Sequence, residues 1–195
     1  MKKKSYSGYI IGGIIIVLGI YLIVTYNSLV QKQEKVKLQW SEVQNTYQRR
    51  LDLIPNLVNV VKGGANYEQA TLQKVIEARS KAASINVSGD LSAEAYNQQT
   101  AAQDELAGSA NRLMISVEKY PDIVGTRAFS NLQSQLEGTE RRIKVARKDF
   151  NESIAAYNSS VKGFPTKIFA GLFGFAPKEG FQSDKGTDKA VEIKF

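Results

Sequence analysis

From Tyr9 to Tyr26 the chain is apolar and carries no charge, and the uncharged stretch extends from Ser5 to Gln31. At 1.5 Å per helical residue this exceeds a hydrocarbon core of roughly 30 Å, which predicts a transmembrane helix over 9–26. Tyr6, Tyr9, Tyr21 and Tyr26 fall partly toward its ends, where amphipathic rings prefer the interface. A cleaved signal peptide also pairs a basic start with an apolar run, but this run is long and no small-x-small cleavage site follows it. Beyond the membrane, Leu29, Val36, Val43 and Leu57 share one seven-residue ladder, and Trp40, Tyr47, Ile54 and Val61 share a second, offset by four. Together they predict a coiled-coil-like seam interrupted by Gln33 and Arg50. The same frame projected backward meets Gly8, Gly12, Ile15, Gly19 and Leu22. Gly8 and Gly12 form a small-xxx-small pair that lets membrane helices approach closely, although glycine is also common in such helices without that role.

Pro55 lies within this first helix and predicts a local kink near Leu51 to Pro55. The helix resumes to Lys62, where Gly63-Gly64 offers a C-cap. A second helix is expected from about Asn66 to Ile85, with Ala70, Val75, Ala78 and Ala82 inward, followed by a loop over Asn86 to Asp90. A third runs from Leu91 to Tyr120, with Ala102, Leu106, Ala110, Leu113 and Val117 inward, and stops at Pro121. The fourth, Asp122 to Lys162, carries Phe129, Leu136, Ile143, Phe150, Tyr157 and Phe164 every seven residues beside Leu132, Thr139, Ala146, Ser153 and Ser160. Bulky beside small suits packing in a bundle core. The expected fold is all-α: an N-terminal transmembrane helix continuous with an antiparallel up-and-down four-helix bundle. The expected divisions are a basic flank (1–8), the membrane helix (9–26), the bundle (27–162), a Phe/Gly-rich apolar segment (163–181) and a polar tail (182–195).

An up-down-up-down bundle returns its fourth helix to the membrane end, which places the 163–181 segment near lipid. That segment holds Phe164, Ile168, Phe169, Leu172, Phe173, Phe175 and Phe181 with Lys167 and Lys178, and is more apolar than a solvated tail. Three placements are open: across the end of the bundle as an apolar plug, against a neighbouring subunit, or in the bilayer interface. The last six residues, AVEIKF, alternate apolar with charged and suit either a partner's sheet edge or a frayed terminus.

Composition narrows the chemistry. The chain has neither cysteine nor histidine, which removes disulfides, thiolate and imidazole metal ligands and the commonest general base. No Gly-rich phosphate loop or nucleophile elbow is present, so no cofactor and no catalytic residue is expected. The net charge of +7 is spread singly among acids apart from Lys2-Lys3-Lys4, a pattern that points to a membrane flank and not to nucleic acid. That run opposes Lys32, Lys35 and Lys37 beside Glu34 on the other flank, so the N-terminus is expected in the cytoplasm and the bundle outside it. Among the bundle charges, Glu137 and Glu140 beside Arg141 read as surface helix pairing. Arg50, at a seam position, faces either a buried carboxylate or a docking partner.

These residues resemble the LemA family of bacterial membrane proteins. The resemblance runs from YNSLV at Tyr26 to Phe181 and is carried by VKLQWSEVQNTYQRRLDLIPNLVNVVKG, VIEARSKA and YPDIVGTRAFSNLQSQLEGTERRIKVARKDFNESIAAYNSSVKGFPTKIFAGLFGF. It implies a single-pass anchor and a four-helix bundle with no established biochemical activity. Family members stand beside genes for membrane proteases and TPM-domain proteins, and one relative belongs to the magnetosome membrane, which loosely implies membrane organisation or maintenance. This chain departs at Gly63-Gly64-Ala65-Asn66, where the family often reads Gly-Tyr-Ala followed by His-Glu. The favoured expectation is a non-enzymatic scaffold or adaptor in the inner membrane. It would form homo-oligomers or recruit envelope proteins such as membrane proteases, through Gly8, Gly12, Gly19, Arg50, Phe169, Leu172, Phe173 and Phe175. The rival is a helical bundle that binds a small ligand or acts as an enzyme.

Overall fold

The computed structural model describes residues 7–63, 69–85 and 92–181, and all their regular structure is helical. The first helix, α1 (Ser7–Lys62), is one uninterrupted element of 56 residues, about 84 Å long at the standard rise. Its N-terminal part is long and apolar enough to cross a membrane, and its side chains from Tyr9 to Val24 are mostly exposed. From Leu29 onward the seam is buried at Leu29, Val36, Trp40, Val43, Tyr47, Arg50, Ile54, Leu57 and Val61, and half-buried at Gln33.

Two shorter helices, α2 (Gln69–Ser84) and α3 (Ala93–Val117), pack against each other. The inner face of α2 is Leu72, Val75, Ala78 and Ala82; Ala70, expected inside, is exposed because the buried stripe begins at Leu72. The expected start at Asn66, Gly64 and the loop over 86–90 lie outside the described residues. Helix α3 opens on Ser92, whose hydroxyl accepts from the Ala95 amide (3.2 Å), and buries all five expected core residues.

The fourth predicted helix is two. A single turn, α4 (Pro121–Val124), is followed by α5 (Arg127–Lys162), and the expected continuity from Asp122 is broken at Gly125-Thr126. Thr126 is a true N-cap: its Oγ1 accepts from the Phe129 amide (3.2 Å) and donates to the Ile123 carbonyl (2.7 Å). Helix α5 runs back along α1 as its principal neighbour and buries Phe129, Leu136, Ile143, Phe150 and Tyr157. Phe164, the next rung of that ladder, is 86% exposed. The helix has ended at Gly163, whose extended backbone carries the chain off the seven-residue frame. A short helix, α6 (Thr166–Leu172), follows, and residues 173–181 continue without regular structure.

The interior divides into two clusters. Distal to the membrane, Leu51 to Val61 of α1 pack with α2, α3, Ile123 and the start of α5, forming a mostly aliphatic four-helix core. Nearer the membrane, Leu29 to Tyr47 of α1 face Ile143 to Val161 of α5, with Tyr96, Ala170, Phe175 and Phe181 completing a largely aromatic core.

Candidate functional site

Between the two cores lies a polar layer. Arg50 is 1% exposed, and its guanidinium donates to the Gln103 carbonyl (2.7 Å), Gln103 Oε1 (3.2 Å) and Glu140 Oε2 (2.6 Å). The layer ties α1 to α3 and α5. Glu140, expected to pair along the helix surface, turns inward to Arg50 while keeping contact with solvent, and Glu137 accepts from Gln133 (3.2 Å). Arg50 is thus committed to the interior and presents no surface to a partner. Among the described residues, the buried side-chain atoms without a partner are Arg50 Nε, Gln103 Nε2, Gln99 Oε1 and Trp40 Nε1. The two glutamine atoms belong to residues lining a cleft of about 360 Å³ between α1, α2 and α3, walled also by Asn45, Tyr47, Gln48 and Ala82.

A second tie lies at Pro55. Proline has no amide hydrogen, so the Leu51 carbonyl loses its helical donor. Arg79 of α2 fills the vacancy, its Nε donating to Leu51 O at 2.9 Å.

The third feature is a strap. Asn151 reads both backbone groups of Phe181: its Oδ1 accepts from the Phe181 amide (2.8 Å) and its Nδ2 donates to the Phe181 carbonyl (3.3 Å). Asn158 does the same to Lys178, at 2.8 and 2.6 Å. The two asparagines are one heptad apart on α5, about 10.5 Å, which matches the roughly 10 Å spanned by three residues of extended chain. Tyr157 donates to the Ala176 carbonyl (3.0 Å) and Tyr96 donates to that of Glu179. At Gly180 an added Cβ would stand 2.6 Å from Asn151 Oδ1, so close passage requires glycine there. The strap ends with Phe181 in a four-ring cluster, 6.0 Å from Trp40, 5.5 Å from Tyr96 and 5.2 Å from Phe150 between centroids. Arg147 covers it, stacking on Tyr47 and Phe181 (5.4 and 5.7 Å) while donating to Tyr47 Oη (2.9 Å) and Asp104 (2.7 Å).

Electrostatics follow burial. Desolvation, and then the Glu179 carboxylate, raise the Tyr96 pKa above its ordinary 10.0, and desolvation raises that of Tyr157. For Arg147, desolvation pulls downward but Tyr47 and Asp104 together outweigh it, leaving the guanidinium pKa raised. Among the described residues no group of three or more His, Cys, Asp or Glu is placed to hold a metal.

A family model described as the LemA family matches residues 39–195, most of the chain. The chain belongs to the LemA family. Its LemA match covers α1 from Gln39 onward, the remaining helices, the strap and the tail. Similar relatives include Magnetosome protein MamQ 2 of Paramagnetospirillum magneticum, 24% identical over 87% of this chain and 69% of the relative. Magnetosome protein MamQ of Magnetospirillum gryphiswaldense is 23% identical with the same coverage. Protein LemA of Metamycoplasma hominis is 24% identical over 80% of this chain and 69% of its own length. The chain is a membrane-associated member of its family.

The remaining expected contact residues of this LemA chain fall in two places. Gly8, Gly12 and Gly19 lie on the membrane helix, and apart from the helix's own local backbone no atom of the described residues lies within 4 Å of where a Cβ would stand. Phe169, Phe173 and Phe175 gather on that helix instead, Phe169 against Tyr21 (6.1 Å) and Phe173 and Phe175 against Tyr26 (5.4 and 5.6 Å). Leu172 points away and is exposed. Sequence reasoning missed Asn151, Asn158, Arg147 and Gln103. The available clue was two asparagines, poor helix formers, repeating at seven in mid-helix.

Proposed function

We propose that this LemA-family protein is a non-enzymatic scaffold or adaptor of the inner membrane. In this reading the N-terminus is cytoplasmic and the bundle extracytoplasmic, and the protein self-associates or recruits envelope proteins such as membrane proteases. The observation that carries the reading is the unbroken α1: one helix is both the membrane anchor and the longest wall of the bundle. A domain held this way is fixed in height and azimuth relative to the bilayer, which suits positioning partners and adds nothing to turnover. The bare glycine face at Gly8, Gly12 and Gly19 supports self-association, since small residues allow close backbone approach within lipid. The names of the magnetosome relatives favour membrane organisation as the setting.

Crosslinking in native membranes with mass spectrometry tests the reading. The expected result is contacts between copies through 8–19, weakened by Gly12→Leu, together with recurrent envelope partners. A monomer with neither overturns it. A phosphatase reporter fused after Phe195 is expected to be active, and activity of a cytoplasmic reporter there alone reverses the orientation.

One observation favours a second reading, a small-ligand bundle. The cleft beside Gln99 and Gln103 offers one buried acceptor and one buried donor without partners. Saturable stabilisation by a small amide-bearing solute, lost in Gln103→Leu, would favour it over the scaffold.

A further inference from the structure

The membrane helix is mostly exposed from Tyr9 to Val24, and α6 is a second exposed apolar surface at the level of its last turns. The chain leaves α5 at Gly163, descends beside α1, and turns back up through α6 toward the strap. Two contacts fix how far it descends: Thr166 Oγ1 lies 3.3 Å from Tyr21 Oη, and the Phe169 ring packs edge-on against Tyr21. Tyr21 stands five residues below Tyr26, the aromatic residue closing the membrane segment, so this turn reaches about 7.5 Å beyond Tyr26 toward the bilayer centre. Amphipathic elements in the interface bury their apolar face by about 5–10 Å.

The faces of α6 match that depth. Phe169 and Ala170 turn toward α1 and the bundle. Ile168 and Leu172, one turn apart on α6, and Phe164 in the turn before it are 57%, 80% and 86% exposed. Three large apolar side chains this exposed carry a substantial cost in water. Lys167 stands among them with a stem long enough to carry its ammonium to the headgroups. Between α6 and the span runs an open groove of about 660 Å³, walled almost wholly by carbon from Gly13, Ile14, Val17, Leu18, Ile168 and Phe169. It is continuous with the face of α1 that meets lipid, so what covers that face also fills the groove.

We propose that residues 163–173 form a second membrane contact, a wedge seated in the bilayer leaflet on the domain's side with acyl chains packed between it and the span. The wedge pins the membrane end of the bundle at a second point and displaces lipid from that leaflet alone, so each copy adds area asymmetrically to the bilayer. The inference rests on the membrane anchor and not on the scaffold reading.

Because the chain has no cysteine, single sites can be labelled in the full protein. Phe164→Cys, Ile168→Cys and Leu172→Cys each carry a nitroxide, with the protein reconstituted in phosphatidylcholine–phosphatidylglycerol vesicles. The references are Ile23→Cys on the span and Val145→Cys on the exposed side of α5. Power saturation with oxygen and with a water-soluble nickel chelate is expected to give all three sites an oxygen-to-nickel ratio near that at 23 and at least threefold above that at 145. Ratios matching position 145 place α6 in water and overturn the proposal. Shielding of all three sites from both oxygen and nickel also overturns it, since a second copy would then occupy the face.

Discussion

The distal and membrane-proximal halves of the bundle bury their cores by different means. Distally, four helices enclose aliphatic and small side chains from Leu51, Val75, Leu106, Leu113 and Leu132. Proximally, α2 contributes no buried side chain and α3 enters only through its first turn at Tyr96, and the third wall is an extended strap that contributes Phe175 and Phe181. The strap has no helix to satisfy its backbone, so Asn151, Asn158, Tyr96 and Tyr157 bind it instead. A helix wall closes itself by its own hydrogen bonds, whereas a strap must be clasped by side chains. The proximal half is therefore expected to be the more easily opened.

The largest effect is expected at the layer dividing the halves. Arg50 is buried while Glu140 reaches solvent, so the two partners are not equivalent. Glu140→Ala strands a buried cation and is expected to cost about 3–5 kcal/mol. Arg50→Met leaves a carboxylate that water can reach and is expected to cost about 1–3 kcal/mol. Denaturant unfolding of both variants checks the order, and equal costs would mean that the guanidinium is not the desolvated partner.

Next come changes confined to the proximal half. Phe181→Ala removes a half-buried ring from the aromatic cluster, an expected loss of about 2 kcal/mol. Asn151→Ala and Asn158→Ala are each expected to cost about 1 kcal/mol and, acting on one strap, to be less than additive when combined. Trp40, the chain's single tryptophan, contacts Phe181 and reports strap release by fluorescence. A shift in the distal core of equal size would erase the distinction between the halves.

Much of this was legible in sequence, and the reason is physical. Helices α1 and α5 are long antiparallel neighbours, so each repeats its buried side every seven residues, and the ladders from Leu29 to Val61 and Phe129 to Tyr157 stand out. The frame misled once, at Phe164, because a periodicity cannot announce that its helix stops at Gly163. Thr126 hid inside an otherwise helical pattern, and recognising its cap would have split α4 from α5. The Arg50 partner and the strap were out of reach for another reason. Both join residues far apart in sequence, Arg50 to Glu140 and Asn151 to Phe181, and a polar residue beside a seam does not say which way its side chain turns.

Smaller effects sharpen the same contrast. Arg79→Met, which uncaps the Leu51 carbonyl in the distal half, is expected to cost about 1 kcal/mol. In a Pro55→Ala background, where an amide can satisfy that carbonyl, the same change should cost little, and a double-mutant cycle measures the difference. pH acts on the proximal half. The folded Tyr96 pKa is raised above its ordinary 10.0, so its contribution is complete below pH 10 and is lost as pH rises through the folded value. The tyrosinate can no longer donate to Glu179 O and is repelled by the Glu179 carboxylate. Trp40 fluorescence is expected to change above pH 10 in the parent and much less in Tyr96→Phe.

The division into a self-closing distal half and a clasped proximal half is tested most directly by amide hydrogen exchange on the chain truncated after Gly174. Protection over 29–47 and 143–161 is expected to fall by at least tenfold while that over 51–61, 106–117 and 129–136 is retained. Protection retained in both halves, or lost from both together, would contradict the account.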